Sequence, residues 1–182
     1  YKRQTKKDAV TARFNESFYT FFLRVIPQCL ISAWSVEAQK LAAKNKSTFN
    51  MSNPFYIYAA LASLFVLLSF IIGGTYGITL FFIQALVAIL HLEVVNYIEH
   101  YGLSRKKISE NKYEPTKPHH SWNANHAASN LLLINLQKHS DHHAKPAKTY
   151  PMLSAYDEES APQLPFGYLS LIHISEPTRQ EA

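Results

Sequence analysis

Lys46 is the last charged side chain before a long gap, and the next is Glu93. The 46 residues from 47 to 92 hold no Lys, Arg, Asp or Glu. They read STFNMSNPFYIYAALASLFVLLSFIIGGTYGITLFFIQALVAILHL. A single membrane helix needs about 20 apolar residues. One charge at its centre costs roughly 2.5–3.5 kcal/mol on insertion scales. The gap has room for two such helices, Phe55 to Ile72 and Ile78 to about Tyr97. Gly73-Gly74-Thr75-Tyr76-Gly77 forms the turn between them. The competing reading is a buried core hairpin of a soluble helical protein. The membrane reading makes the chain an all-α integral membrane protein with two transmembrane helices and His-rich helices in the cytoplasm.

The flanks set the orientation. Residues 1–46 carry nine Lys/Arg and residues 99–150 carry eight, whereas the 73–77 turn carries none. The positive-inside rule then puts both flanks in the cytoplasm and only the turn across the membrane. The net charge of +5 follows from these flanks. Basic segments beside a bilayer call for no nucleic acid, and no aromatic-basic RNA-recognition pattern is present. One Cys, Cys29, excludes an intramolecular disulfide framework and any multi-Cys zinc module.

These features divide the chain into four parts. Residues 1–50 form a cytoplasmic or interfacial amphipathic segment, and 51–98 the two membrane helices. Residues 99–168 form the His-rich catalytic region, and 169–182 a tail with a foreign look. Phe14, Phe18, Phe21, Phe22 and Val25 recur at helical spacing, so the first segment is an amphipathic helix broken near Pro27. A polar helix over 35–46 leads to the membrane.

Eight of the nine histidines fall between 91 and 143. The sharpest group is His139-Ser140-Asp141-His142-His143, whose imidazoles stand at i, i+3 and i+4 on one helical face. The run Ser129 to Lys138 suits a helix leading into it. Imidazoles grouped this way bind one metal or share two, and Fe, Cu, Zn and Ni all suit them. The zinc-protease spacing His-Glu-x-x-His is absent. Glu99 and Asp141 are carboxylates placed to hold a ligand's second ring nitrogen. Asn96 either does the same or caps. His91 and His100 stand nine apart, on opposite sides of a regular helix, so His91 reads as a packed or hydrogen-bonded histidine. His119, His120 and Trp122 lie in a loop after Pro118. They are ligands, channel residues or structural groups, and spacing alone leaves all three open.

At these residues the chain resembles the membrane alkane monooxygenases. Asn96-Tyr97-Ile98-Glu99-His100-Tyr101-Gly102-Leu103 looks like their NYxEHYGL box, and Leu136 to Pro146 looks like their LQRHSDHHAxP box. Pro118 to Asn123 and Leu164 to Tyr168 match as well. The likeness extends from about Asp8 to Tyr168. It implies a six-helix bacterial inner-membrane enzyme, fatty acid desaturase-like, with a non-haem di-iron site on the cytoplasmic side. It implies terminal hydroxylation of medium-chain alkanes with O₂ and electrons from rubredoxin, itself served by a reductase. Carried over, His100, His139, His142 and His143 are iron ligands, with Glu99, Asp141 and Asn96 behind them.

Two departures accompany the likeness. The family's HELxHK and EHxxGHH boxes are absent, so this chain by itself should not assemble the di-iron site. Leu169 to Ala182 reads LSLIHISEPTRQEA, like a translated sequencing adapter, which discounts His173 and Glu176. Lys138 for Arg and Tyr150-Pro151 for Tyr-Gln are milder differences. The alternatives are a xylene-type methyl hydroxylase, a fatty-acid terminal hydroxylase, or a non-catalytic membrane metal-binding protein.

Overall fold

The computed structural model describes residues 4–5, 8–110 and 112–168. The tail over 169–182, with its discounted His173, lies outside the described residues. The described chain is mainly helical. Its elements are α1 (Phe18–Ala42), α2 (Phe55–His100), β1 (Lys107–Ser109), β2 (Lys112–Tyr113), α3 (Ala127–Leu132) and α4 (His139–Ala144). Short 3-10 turns lie at Pro118–His120 and Tyr150–Met152. The antiparallel β1–β2 ribbon departs from an all-α chain, but it is only a few residues long and sheds no helix. The chain forms two compact units, one of residues 26–90 and one of residues up to 25 together with those from 91 onward.

The unit of residues 26–90 is built on the apolar part of α2. Asn53 starts the helix: its Oδ1 accepts the Phe55 N–H at 3.1 Å, while Pro54 brings no N–H to satisfy. Trp34 meets Phe55 edge-on, with ring centroids 5.1 Å apart. Among the described residues α2 is the helix long and apolar enough to cross a membrane. The most apolar stretch of α2 is not buried within the chain. Leu64, Phe65, Ile71 and Leu80 all face outward. A soluble core helix would cover these side chains, so the soluble-core alternative loses its main support.

Gly74 alone leaves the helical region, at φ 57 and ψ −142, and there α2 folds back. A Cβ on Gly77 would collide with the Ser69 carbonyl oxygen eight residues earlier. In a straight helix those positions lie about 12 Å apart. Val66, Phe70, Ile78 and Phe82 accordingly line one hollow. The reversal thus occurs within the expected 73–77 turn. A side chain at Gly74 is strained by its positive φ, at a cost of about 1–2 kcal/mol; at Gly77 it clashes with backbone. Gly77→Leu is therefore expected to lower the yield and detergent melting temperature of the folded protein more than Gly74→Ala does, as read by size-exclusion fluorescence.

The break expected near Pro27 does not occur, and α1 runs through it to Ala42. A helix-interior proline loses one hydrogen bond at a cost of about 3 kcal/mol, and helix on both sides outweighs that cost here. The helix expected over 35–46 is the end of α1, which stops at Ala42 as Asn45 turns to φ 56.

In the other unit, Phe21 and Val25 are fully buried. Tyr97 packs on Phe18 and Phe21, at 5.7 and 5.4 Å, and its hydroxyl donates to the Glu16 carbonyl at 2.6 Å. Phe18 and Phe21 of the amphipathic face thus pack the end of α2, while Phe14 lies before α1 and is exposed. The Arg24 guanidinium forks onto both Glu16 carboxylate oxygens, at 2.7 and 2.8 Å. Burial works to raise the Glu16 carboxyl, but the Arg24 hydrogen bond and the bond from the Arg13 N–H bring it below its usual value. A carboxyl lowered in the folded state stabilises above its unfolded pKa, and that contribution is lost as pH falls through the folded value. Acid unfolding should therefore steepen below about pH 4.5. Glu16→Gln should be less stable at neutral pH and flatter across that acid window, as circular dichroism at stepped pH would record.

Candidate metal centre

Three of the four sequence-derived ligands converge. One ring nitrogen from each of His100, His139 and His143 lies within 4.8 Å of the others. His100 and His139 are buried and His143 half-buried. His100 is the last residue of α2, and the other two lie on α4. The Nε2 atoms of His100 and His139 stand 3.1 Å apart.

The opposite ring nitrogens have partners of their own. His100 Nδ1 is 3.0 Å from the Asn96 carbonyl oxygen, and His139 Nδ1 is 3.2 Å from Glu99 Oε1. At His100 the Asn96 carbonyl holds the ring proton at Nδ1 and leaves the Nε2 lone pair for a cation; at His139 the Glu99 carboxyl lies close to Nδ1 without hydrogen-bond geometry. The two Nε2 atoms are within hydrogen-bond distance of each other, and the same spacing lets both face one cation. The donor set therefore fits a divalent metal that takes imidazole, iron among them.

His142 stands apart from this trio. Its ring centroid is 5.8 Å from that of His139 and 5.7 Å from that of His143. It stacks on Tyr150 instead, at 4.9 Å and 21°. Tyr150 was not among the sequence-derived site residues. Its signal was a tyrosine a short loop beyond the His box, which spacing does not distinguish from any loop aromatic.

The expected helix over 129–138 is interrupted. α3 ends at Leu132, Ile134 and Asn135 turn left-handed (φ 51 and 62), and α4 starts afresh at His139. Interior hydrogen bonds favour the break. Gln137, fully buried, donates from Nε2 to Asn130 Oδ1 at 3.0 Å and accepts the Tyr168 N–H at 2.8 Å. A continuous helix would move Gln137 off these partners.

α4 has two faces. His139 and His143 point into the cluster, while Ser140 and Asp141, both fully buried, bond elsewhere. Asn123 clasps Ser140, accepting its N–H at 2.9 Å and donating to its hydroxyl at 2.6 Å. Asp141 accepts from Lys148 Nζ at 2.6 Å, the Ser154 N–H at 2.8 Å and the Tyr156 hydroxyl at 3.3 Å, with Lys145 Nζ also at 3.3 Å. Burial works to raise the Asp141 carboxyl, but these bonds outweigh it and hold it down to about 2. The partners of Asp141 are thus the 145–156 loop, and the carboxylate beside an imidazole is Glu99.

The Asn96 side chain donates to Glu93 at 3.2 Å, so Asn96 reaches His100 through its backbone carbonyl only. His91 is exposed and is not packed as expected. Trp122 brackets the site. Its N–H donates to the Glu99 carbonyl at 3.0 Å, its indole to the Tyr101 carbonyl at 2.9 Å, and its own carbonyl accepts the Tyr168 hydroxyl at 2.8 Å. Burial, then the nearby Glu99 charge, pushes the Tyr168 phenol well up, so it stays protonated as a donor.

Glu114, His119 and His120 form a second convergent group. Both ring nitrogens of His120 are in use: Nδ1 accepts the Lys117 N–H at 2.9 Å, and Nε2 faces Glu114 Oε1 at 3.1 Å. Burial lowers the His120 pKa, partly offset by Glu114. A neutral ring bonded at both nitrogens ties the 114–120 segment together. His119 is exposed, 4.2 Å from the His120 ring.

The family model for fatty acid desaturases matches residues 1–175. Alkane 1-monooxygenase 2 of Pseudomonas aeruginosa is 39% identical over 171 residues, 94% of this chain and 45% of the relative. An alkane 1-monooxygenase of Ectopseudomonas oleovorans is 41% identical over 172 residues, 90% of this chain and 40% of the relative. The xylene/toluene monooxygenase hydroxylase component of Pseudomonas putida is 29% identical over 162 residues, 88% of this chain and 42% of the relative. The chain spans less than half the length of these curated relatives. With that match along its length and a His cluster built from its two His-bearing segments, the chain belongs to the fatty acid desaturase family.

Proposed function

We propose that this chain is part of a membrane di-iron monooxygenase that hydroxylates the terminal methyl of medium-chain alkanes. The observation that carries the reading is the meeting of His100, His139 and His143, with a backbone carbonyl fixing the His100 ring and Glu99 beside that of His139. The names of the alkane 1-monooxygenase relatives support the substrate and the reaction class.

In this reading both arms of α2 span the bilayer within 51–98, and 99–168 forms the catalytic region on the cytoplasmic side of a bacterial inner membrane. The uncharged reversal at Gly74 and the basic flanks support that orientation. Two irons are held here by His100, His139, His142 and His143, and further ligands come from the protein's other part. Iron supplies the oxidising power that an unactivated C–H bond requires, drawing on O₂ and on electrons from rubredoxin. The chain's own residues present and orient ring nitrogens. The Asn96 carbonyl holds the His100 proton at Nδ1, and Glu99 stands 3.2 Å from His139 Nδ1. Trp122 and Tyr168 brace the segment behind them. The substrate concentrates in the membrane, and the apolar arms give it a dry approach.

The test is the intact protein in membranes or detergent, measured for iron content and for 1-octanol formed from octane with rubredoxin, its reductase and O₂. Two irons per protein with terminal alcohol as product is expected; iron-free protein with no product refutes the reading. The xylene/toluene relative favours a second reading, a methyl hydroxylase of aromatic rings. Faster turnover of xylene than of octane would select it, and turnover of a fatty acid at its terminal methyl would select a fatty-acid hydroxylase.

A further inference from the structure

We infer that Tyr150 is the positioning residue of His142, held over its ring by a strap of residues 145–156 that Asp141 ties to α4. The inference rests on the metal-centre reading above and adds to it a residue and a device.

The imidazole–tyrosine pair differs from its neighbours. The rings of the His cluster meet one another tilted or edge-on, at 42° to 78°. His142 and Tyr150 lie nearly parallel, at 21° and 4.9 Å. The Tyr150 hydroxyl stands 3.5 Å from His142 Nε2, too far for a strong hydrogen bond. The face-to-face contact therefore carries the interaction. An imidazole's χ2 torsion is broad, so an unsupported ring samples a wide arc. A flat neighbour narrows that arc, and a ligand held in its bound orientation loses less entropy when the metal arrives.

The strap that carries Tyr150 is fixed at several points. Asp141 accepts from Lys148, Ser154 and Tyr156, and Lys148 Nζ also reaches Ser154 Oγ at 2.8 Å. From the other side, Lys138 Nζ donates to the Leu153 carbonyl at 3.1 Å and Asn135 Nδ2 to the Pro151 carbonyl at 3.1 Å. The 3-10 turn Tyr150–Met152 lies between these anchors, stiffened by Pro151. Tyr150 itself is 37% exposed. A residue so open contributes little to a core, which separates an orienting role from a packing role. The same helix turn thus carries ligand candidates on one side and, on the other, the carboxylate that fixes the strap orienting one of them.

The experiment loads the intact protein with Co²⁺ and records its affinity, by chelator competition, together with its visible ligand-field bands. Tyr150→Ala is expected to weaken Co²⁺ by about tenfold or more and to alter the bands, in the range seen when supporting residues of metal ligands are lost. Its apoprotein melting temperature should stay near that of the wild type. Tyr150→Phe keeps the ring and should restore both affinity and bands. Lys148→Met loosens the strap and should act in the same direction. In the double variant it should add less than it costs alone, because the two act through one contact. A Tyr150→Ala protein with wild-type affinity and bands overturns the inference while leaving the metal centre standing. A full, additive effect of Lys148→Met on top of Tyr150→Ala also overturns it. Wild-type protein that takes up no Co²⁺ overturns the metal centre and this inference together.

Discussion

Replacing His139 with alanine in the intact protein is expected to strip iron from the site and reduce alkane hydroxylation to background. His139 is where the supports meet. Its Nε2 lies 3.1 Å from His100 Nε2, its ring is 4.3 Å from that of His143, and its Nδ1 faces Glu99. Alanine removes a ligand and leaves Glu99, 2% exposed, without that imidazole. The loss of metal affinity should exceed the 10–100-fold that a supporting residue costs. The matched control is His126→Ala. His126 is exposed and stands outside both convergent groups, so its variant should keep wild-type iron. Iron per protein by emission spectroscopy, with product formation by gas chromatography, reads the comparison. Retention of iron and activity in the His139 variant would remove that residue from the ligand set.

The second large effect is expected at Glu99. Glu99→Gln preserves shape and the backbone carbonyl that receives the Trp122 N–H, so the fold should survive. What it loses is the carboxyl group 3.2 Å from His139 Nδ1. A carboxylate behind an imidazole fixes its tautomer and strengthens it as a donor to metal. An amide offers a weaker acceptor, or its NH₂ if it turns round, and the latter favours the wrong tautomer. Iron affinity should fall about 10–100-fold, with activity falling at least as far at limiting iron and recovering partly at high iron. Asp141→Asn tests the contrast. Asp141 faces Lys148 and the strap, so its variant should disturb His142 and leave the His100–His139 pair near its wild-type behaviour. Ligand-field spectra of the Co²⁺ form distinguish the two outcomes.

The chain's features differed in how far sequence alone could reach them. The apolar hairpin was legible because its cause is compositional: a stretch without charge and a glycine cluster need no tertiary partner to be recognised. His100, His139 and His143 were legible because helical spacing brings neighbours onto one face and the two boxes have a distinctive likeness. The helix leading into α4 was misread, since the run Leu131-Leu132-Leu133-Ile134 favours helix locally. The buried bonds of Gln137 and Asn130 decided otherwise, and their partners lie as far away as Tyr168. Pro27 was misread for the opposite reason, because a local penalty was given more weight than the helix around it. Asp141, between two candidate ligands, is the carboxylate the sequence favours for an imidazole, yet at one residue's remove the α4 face turns from the cluster to the strap.

By itself the sequence determined the apolar hairpin, the basic flanks, the residues able to bind metal and the family. Those follow from residue type and short-range spacing. The tertiary structure alone decided that Glu99 and not Asp141 stands behind an imidazole. It also decided that His142 leans on Tyr150 and that His120 is tied up at both nitrogens. The physical reason is that the interior around the site is largely polar. Gln4, Ser121, Gln137, Ser140 and Asp141 are all essentially buried there. Hydrophobic periodicity says nothing about such a core, because each polar group is placed by a directional bond to a residue far away in the chain.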